Sequence, residues 1–191
     1  MLGKRNWRGG RQISEEEEKP REIKDVEKAR RRTFDRAVRL LTFKWRSVAE
    51  LRERLLEKNW TNEEIVASVI AKLEEYGYLN DEQFAKDFAA SKIRQKPQGK
   101  RALRQKLALK KVPRETADAA LEKVFEETPE ADLVEQAIRK RLRLKGKPET
   151  REDVKKFYDF LLRQGFSYDS VSGKMREIAA RNFEESENTE D

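Results

Sequence analysis

A stretch of 24 residues recurs three times along the chain, and this repeat constrains the fold more than any other feature. The segment ELRERLLEKNWTNEEIVASVIAKL, which starts at Glu50, aligns without gaps with the segments displaced by 52 and by 106 positions. Six positions are apolar in every copy: Leu51, Leu55, Trp60, Ile65, Val69 and Leu73 in the first; Leu103, Leu107, Val112, Ala117, Leu121 and Phe125 in the second; Phe157, Leu161, Phe166, Val171, Met175 and Ala179 in the third. Repetition at a fixed period indicates a tandem array of small structural units.

A further amphipathic stretch precedes each copy, so each unit is expected to contain three helices. The sequence predicts an all-α fold, an elongated array of three tandem three-helix repeat units that support one another. We expect a disordered or partly helical N-terminal arm at 1–28, repeats at 29–79, 80–127 and 128–183, and an acidic disordered tail at 184–191.

Helix starts are marked by hydrogen-bonding residues followed three positions later by Glu or Gln. This pattern is typical of the capping box, in which two backbone donors are satisfied reciprocally. It predicts boxes at Ser47 with Glu50, Thr61 with Glu64, and Asn80 with Gln83.

The segment YGYLNDEQF, at 76–84, predicts the end of one helix and the start of the next. Gly77 suits the left-handed position after a helix because it has no Cβ. Asn80 is a good N-cap, and Leu79 with Phe84 matches a hydrophobic staple. The residues assigned to this structural seam between the first two repeats are Gly77, Tyr78, Leu79, Asn80 and Phe84. The alternative is an aromatic ligand-binding patch.

The composition argues against most enzymatic chemistries. The chain has no cysteine and no histidine, which removes a thiolate nucleophile, the commonest general base and the commonest zinc ligands. The eight glycines are scattered and form no phosphate-binding loop. We therefore expect no enzyme activity, no catalytic or metal site and no cofactor. No apolar run reaches membrane-spanning length, and a cytoplasmic monomer without a membrane partner is expected.

The net charge of +7 favours a polyanionic or acidic partner. Between Phe88 and Arg114 there are ten basic residues and no acid: Lys92, Arg94, Lys96, Lys100, Arg101, Arg104, Lys106, Lys110, Lys111 and Arg114. Solvent-exposed faces normally mix both signs of charge, so this acid-free run predicts a contact with DNA or with an acidic protein surface.

Two weaker basic segments add to this prediction. A second run contains Arg139, Lys140, Arg141, Arg143, Lys145 and Lys147, although cations also suit the C-terminal end of a helix. The N-terminal arm carries Lys4, Arg5, Trp7, Arg8 and Arg11, a combination that suits single-strand contact.

The same helical segments carry a family resemblance. The stretches AVRLLTFKWRSVAELRERLLEKNW, VIAKLEEYGYLNDEQFAKDFAASKIRQKPQGKRALRQKL and FLLRQGFSYDSV resemble the RecX family, regulatory proteins of the RecA recombinase. The most specific motif is GYLNDE with Phe84-Ala85, followed by the L-R-x-[KR]-L pattern at 51–55 and 103–107 and by Gly165-Phe166-Ser167. The resemblance covers about residues 33 to 180. In the second unit Lys111-Val112 replaces Gly-Phe, a mild departure.

This resemblance implies a function that composition and periodicity do not reveal. RecX-like proteins bind RecA filaments on DNA, lodge in the filament groove, and restrain filament extension and ATP hydrolysis. They thereby limit strand exchange, coprotease activity and the SOS response. The expected partners are thus a RecA filament and single- or double-stranded DNA, without sequence preference. Two alternatives remain open: an autonomous DNA-binding helical-repeat protein of repressor or nucleoid type, and an adaptor that binds only protein.

Overall fold

The chain is helical wherever its structure is described. A computed structural model describes residues 23–187, with 179–187 described as backbone only. Within this range the helices are α1 (Val26–Phe43), α2 (Val48–Leu56), α3 (Glu63–Glu75), α4 (Asp81–Gln95), α5 (Lys100–Leu109), α6 (Arg114–Glu127), α7 (Glu130–Lys145), α8 (Arg151–Arg163) and α9 (Tyr168–Glu187). Extensive helix–helix packing lies within α1–α3, α4–α6 and α7–α9, which confirms the all-α array of three three-helix units.

The two terminal segments fall mostly outside this range. Residues 1–22 of the expected arm and residues 188–191 of the expected tail lie outside the described residues. Helix α1 begins at Val26, inside the expected arm, and α9 continues to Glu187, past the expected start of the tail at 184.

Each unit has its own apolar core, built from the repeated positions. Trp60, Phe125 and Met175 are half-buried, and the other repeated positions with described side chains are buried. Their recurrence at four- or five-residue intervals, along each unit's last two helices and the turn between them, places them on the faces that pack together. Ile93 and Phe125 contact the cores of both the second and the third unit, so these two units share apolar packing.

The helix caps differ in part from the sequence prediction. Ser47 and Asn80 do accept the expected backbone hydrogen bonds, from Glu50 N at 3.1 Å and Gln83 N at 3.0 Å. Neither box closes, because the Glu50 carboxylate pairs with Lys110 and the Gln83 amide donates to Asp87. The N-cap of α3 is Asn62 and not Thr61, so that prediction was wrong by one residue. A reciprocal box forms instead at the start of α8, between Thr150 and Asp153.

Polar contacts join the first unit to the second. Ser47 Oγ donates to the carbonyl of Lys110 at 2.5 Å, and Val48 N donates to Asp81 Oδ1 at 2.8 Å. Lys110 Nζ lies 2.8 Å from Glu50 Oε1, and both side chains are largely buried. The start of α2 is thus held against α4 and the end of α5. No helix of the described residues combines the length and apolarity needed to cross a bilayer.

Candidate nucleic-acid interface

Five cations of the acid-free run pair with carboxylates that lie outside the run in sequence. Helices α2 and α6 carry acids that the run itself lacks, and packing brings these acids close. The pairs are Lys100 with Glu122, Arg104 and Arg114 with Asp118, Lys110 with Glu50, and Lys111 with Glu53. The run is therefore acid-free along the chain and only partly acid-free in space. Lys110 and Lys111 join the second unit to the first, whereas the other three pairs lie within the second unit.

Three other cations of the run gather around the buried residue Gln98. The Gln98 amide donates to the carbonyls of Lys92 and Lys96, and its oxygen accepts from Lys106 Nζ. Burial, and after it the charges of Lys92 and Lys96, lower the pKa of the Lys106 ammonium. Like charges this close favour a bound anion, because an anion offsets their mutual repulsion.

The second basic run meets the first at the junction of α4, α7 and α8. Lys96 shares a cavity of about 380 Å³ with Lys140, Arg141 and Lys145, and Pro97, Leu144 and Phe160 supply apolar walls. The Arg141 guanidinium lies 4.2 Å from the ring centre of Phe160. We define the basic cluster as Lys92, Lys96, Lys106, Lys140, Arg141 and Lys145. Among the described residues, none of the six has a carboxylate partner.

The remaining predicted contact residues lie outside this cluster. Arg139 pairs with Glu135 at 2.5 Å. Arg94, Arg101 and Arg143 are exposed and have no ion-pair partner in the described part of the chain. The structure thus unites Lys140 and Arg141 with the first run but keeps Arg139 in a local helix pair.

The seam between the first two units has well-defined backbone geometry. Gly77 has a φ of +72°, and the amides of Tyr78 and Gly77 donate to the carbonyls of Leu73 and Glu74, each at 2.9 Å. This pair of bonds is the Schellman motif, which closes the end of α3. Leu79 is buried with the first unit's core, and Phe84 with the second unit's core.

The seam also borders an apolar cavity of about 450 Å³. Its wall includes Val38, Leu41, Trp45, Tyr78 and Phe84. Trp45 and Tyr78 remain 63% and 66% exposed, so two large aromatic rings stand at its rim. The seam is therefore both a helix junction and one side of an apolar pocket.

Sequence reasoning missed two features of the described charge pattern. Gln98 is bonded to three lysines of the basic cluster, and as an uncharged residue between α4 and α5 it gave no signal in the charge pattern. Arg32, Arg36 and Arg39 of α1 line one cavity with Trp60. Their spacing of four and three residues is the signal that places them on one helix face.

The fold and the charge distribution define a helical-repeat protein with basic surfaces. Comparison with known families identifies the first two repeats. Residues 34–73 match the domain described as "RecX, first three-helix domain", and residues 80–121 match "RecX, second three-helix domain".

Individual relatives agree with the domain matches. "Regulatory protein RecX" of Chlorobium limicola is 37% identical over 133 residues, which cover 69% of this chain and 80% of that protein. "Regulatory protein RecX" of Bacillus subtilis is 30% identical over 154 residues, 81% of this chain. The crystal structure of RecX from Lactobacillus salivarius matches with a TM-score of 0.73 at 19% identity. That match covers 81% of this chain and 99% of the crystallised one, and it shows likeness of fold.

The chain belongs to the RecX family of regulatory proteins. The resemblance noted from the sequence is therefore confirmed. The chain spans 58% of the length of the Bacillus subtilis relative.

Proposed function

We propose that this protein binds RecA filaments on DNA and inhibits them. In this function it restrains filament extension and ATP hydrolysis, and so limits strand exchange and SOS coprotease activity. It acts in the cytoplasm as a monomer. The name "Regulatory protein RecX" carried by its relatives supports a regulatory role, and the surface chemistry supports the choice of partners.

The main support for a DNA contact is the basic cluster. Six cations without carboxylate partners extend from Lys106 through Lys96 to Lys145, across the junction of the second and third units. Lysine and arginine contacts to phosphates supply most sequence-independent affinity for nucleic acid. Five of the six are lysines, which contact phosphates as point charges, and phosphate contacts carry no sequence information directly.

A second surface suits a protein partner. The seam cavity is apolar, and Trp45 and Tyr78 stand exposed at its rim. Large aromatic side chains of this kind are enriched at protein–protein interfaces. We assign this surface to a RecA protomer and the basic cluster to the DNA within the same filament.

The decisive experiment is a RecA ATPase assay on single-stranded DNA. The protein is expected to inhibit ATP hydrolysis at levels well below one molecule per protomer. Trp45→Ala with Tyr78→Ala is expected to weaken inhibition while affinity for free DNA is retained. A matched control, Tyr168→Ala, removes an exposed aromatic of the third unit that does not border the seam cavity.

Three outcomes separate this proposal from the alternatives. Unchanged RecA turnover and strand exchange at saturating protein contradict the proposed function. Unchanged turnover together with tight, independent DNA binding supports an autonomous DNA-binding protein. Inhibition that survives neutralisation of the basic cluster, with no DNA binding by the intact chain, supports an adaptor that contacts protein alone.

A further inference from the structure

Three arginines on one face of α1 surround a tryptophan of the same unit. Arg32, Arg36 and Arg39 are spaced by four and three residues, so their side chains lie one above another along the helix. Together with Leu40 and Trp60 they line a cavity of about 330 Å³. This arginine pocket is in the first unit, whereas the basic cluster belongs to the second and third.

The charges of the arginine pocket are not neutralised by the described part of the protein. None of its three guanidinium groups has a carboxylate partner there. Arg39 Nε donates to the backbone carbonyl of Asp35 at 3.3 Å, and the Arg32 guanidinium lies 3.7 Å from the centre of the Trp60 ring.

Three other arginines of the first unit are paired with acids. Arg30, Arg52 and Arg54 lie 2.6, 2.5 and 2.8 Å from Glu27, Glu63 and Glu57. The first unit therefore supplies carboxylates for these arginines but directs none into the arginine pocket.

Two nitrogen atoms of the arginine pocket lack any hydrogen-bond acceptor. Arg36 Nε and Trp60 Nε1 are both buried, and no acceptor of the described residues reaches either. A buried donor without a partner costs free energy, which an incoming oxyanion would recover. Because both atoms are covered, the ligand must first displace a side chain. Arg32 lies over the Trp60 ring and is exposed, so its displacement would open that face of the ring to a base.

We propose that the arginine pocket binds a phosphate group of single-stranded nucleic acid, with an adjacent base against Trp60. Guanidinium groups match phosphate oxygens in pairs, and indole rings stack with bases of any sequence. The arginine pocket is lined by one indole ring, three guanidinium groups and one aliphatic side chain, Leu40. This lining suits a nucleotide, which has a base and a phosphate, better than an acidic peptide. The inference goes beyond the proposed function because it adds a second nucleic-acid contact, in the first unit and separate from the basic cluster.

Tryptophan emission provides a direct readout of the arginine pocket. The chain has three tryptophans, so Trp7→Phe with Trp45→Phe leaves Trp60 as the only one. This variant is titrated with an oligo-dT strand while the anisotropy of the labelled strand reports total binding. We expect Trp60 emission to change with the same midpoint as the anisotropy.

Charge variants test which cations make the contact. Arg36→Gln and Arg39→Gln are each expected to weaken binding about tenfold. Each should also reduce the salt slope by about 0.7, the value for one phosphate of a single strand. Arg31→Gln is the matched control because it removes the same charge from the exposed surface of α1 without bordering the pocket.

Several results would overturn the proposal. Binding without a change in Trp60 emission, or equal effects of Arg31→Gln and Arg36→Gln, excludes this contact. A poly-glutamate peptide that binds with the same Arg36 dependence identifies an acidic protein as the ligand. Inorganic phosphate that reproduces the full emission change, with no added affinity from the strand, reduces the pocket to a free-anion site.

A loss of folding in these variants can be distinguished from a loss of binding. If Arg36→Gln lowers the helix content measured by circular dichroism, the exposed residue Arg39 and the Trp60 emission of the otherwise intact chain still decide the question. A negative result for the arginine pocket would not contradict the proposed inhibition of RecA, because the ATPase assay tests that function independently.

Discussion

Gly99 and Gly165 are in backbone contact where α5 begins and α8 ends. A Cβ atom added to Gly99 would lie 2.1 Å from the carbonyl oxygen of Gly165, and one added to Gly165 would lie 2.3 Å from Ala102 N. The amide of Gly99 donates to the Gln164 carbonyl at 3.0 Å, and the amide of Arg101 donates to the Gly165 carbonyl at 3.2 Å. The second and third units therefore contact each other directly through their backbones.

Substitution of Gly99 by alanine is expected to destabilise the protein by about 1–3 kcal/mol, the usual range for overpacking. The atoms in the way belong to the backbone and cannot yield as a flexible side chain would. Urea denaturation measures the change. Gly173→Ala in α9 is the control, because nothing lies within 4 Å of the added Cβ. It should stabilise the helix by up to about 1 kcal/mol. Equal stability of the two variants would contradict the role of the contact.

The fold could be predicted because its determinants are local. Leu51, Leu103 and Phe157 reveal the repeat through their spacing alone, and Gly77 marks a helix end through its own conformational freedom. The Gly99–Gly165 contact joins residues far apart in sequence. Proline and glycine at 97 and 99 favour a break between helices, but these residue types do not indicate what packs against it.

The candidate interface was less predictable, because pairing between helices depends on packing. No rule of spacing links Lys110 to Glu50 or Arg104 to Asp118, so the acid-free run overestimated the number of cations available to a ligand. The arginine pocket was hidden for a different reason. Acids at Glu27 and Asp35 interrupt the basic residues of α1 in sequence, although they do not pair with the arginines of the pocket.

Lys111 lies in the left-handed region, where glycine is favoured. Its φ is +58°, and the amides of Lys111 and Val112 close the end of α5 on the carbonyls of Ala108 and Leu107. Lys111→Gly is expected to stabilise the protein by about 0.5–1 kcal/mol, since glycine adopts this conformation without strain. Lys111→Ala is the control: it also removes the exposed ion pair with Glu53 but keeps the strain, so it should bring no gain. Thermal unfolding distinguishes the two, and a gain from alanine would contradict the strain.

Glu82 links α4 to α6 and makes stability depend on pH. Hydrogen bonds from Lys123 and Lys86, at 2.6 and 3.1 Å, lower the pKa of the Glu82 carboxyl from 4.5 to about 2. Because the folded value lies below the unfolded one, the contribution is fully present above pH 4.5. It is lost as the pH falls through about 2.

Glu82→Gln is therefore expected to be less stable than the wild type at pH 7, with the difference closing between pH 4.5 and 2. Urea denaturation across this range measures it. With Lys86→Met and Lys123→Met already present, the same substitution should have no pH-dependent effect. A gap that stays constant down to pH 2 would show that the two lysines do not stabilise the carboxylate.

The basic cluster should bind single-stranded DNA with a strong dependence on salt. Six phosphate contacts made by the cluster predict a contribution of roughly −4 to the slope of log affinity against log salt, so a fourfold rise in salt weakens this contact by roughly a few hundredfold. Lys96→Gln with Lys140→Gln should lower affinity roughly 10- to 100-fold and reduce the contribution of the cluster to roughly −3. These two lysines come from different predicted runs, so their joint effect tests whether the runs form one surface.

The control for this experiment removes two cations that already have carboxylate partners. Lys86→Gln with Lys156→Gln changes the net charge equally, but these lysines pair with Glu82 and Glu152. Both lysines lie outside the basic cluster, and at physiological salt a change of charge is screened beyond about 8 Å, so it has little effect on a strand bound to the cluster. DNA affinity should then fall less than threefold. Equal losses of affinity in both double variants would show that DNA binding depends on net charge and not on the basic cluster. An affinity that does not change with salt would show that the protein makes no phosphate contacts.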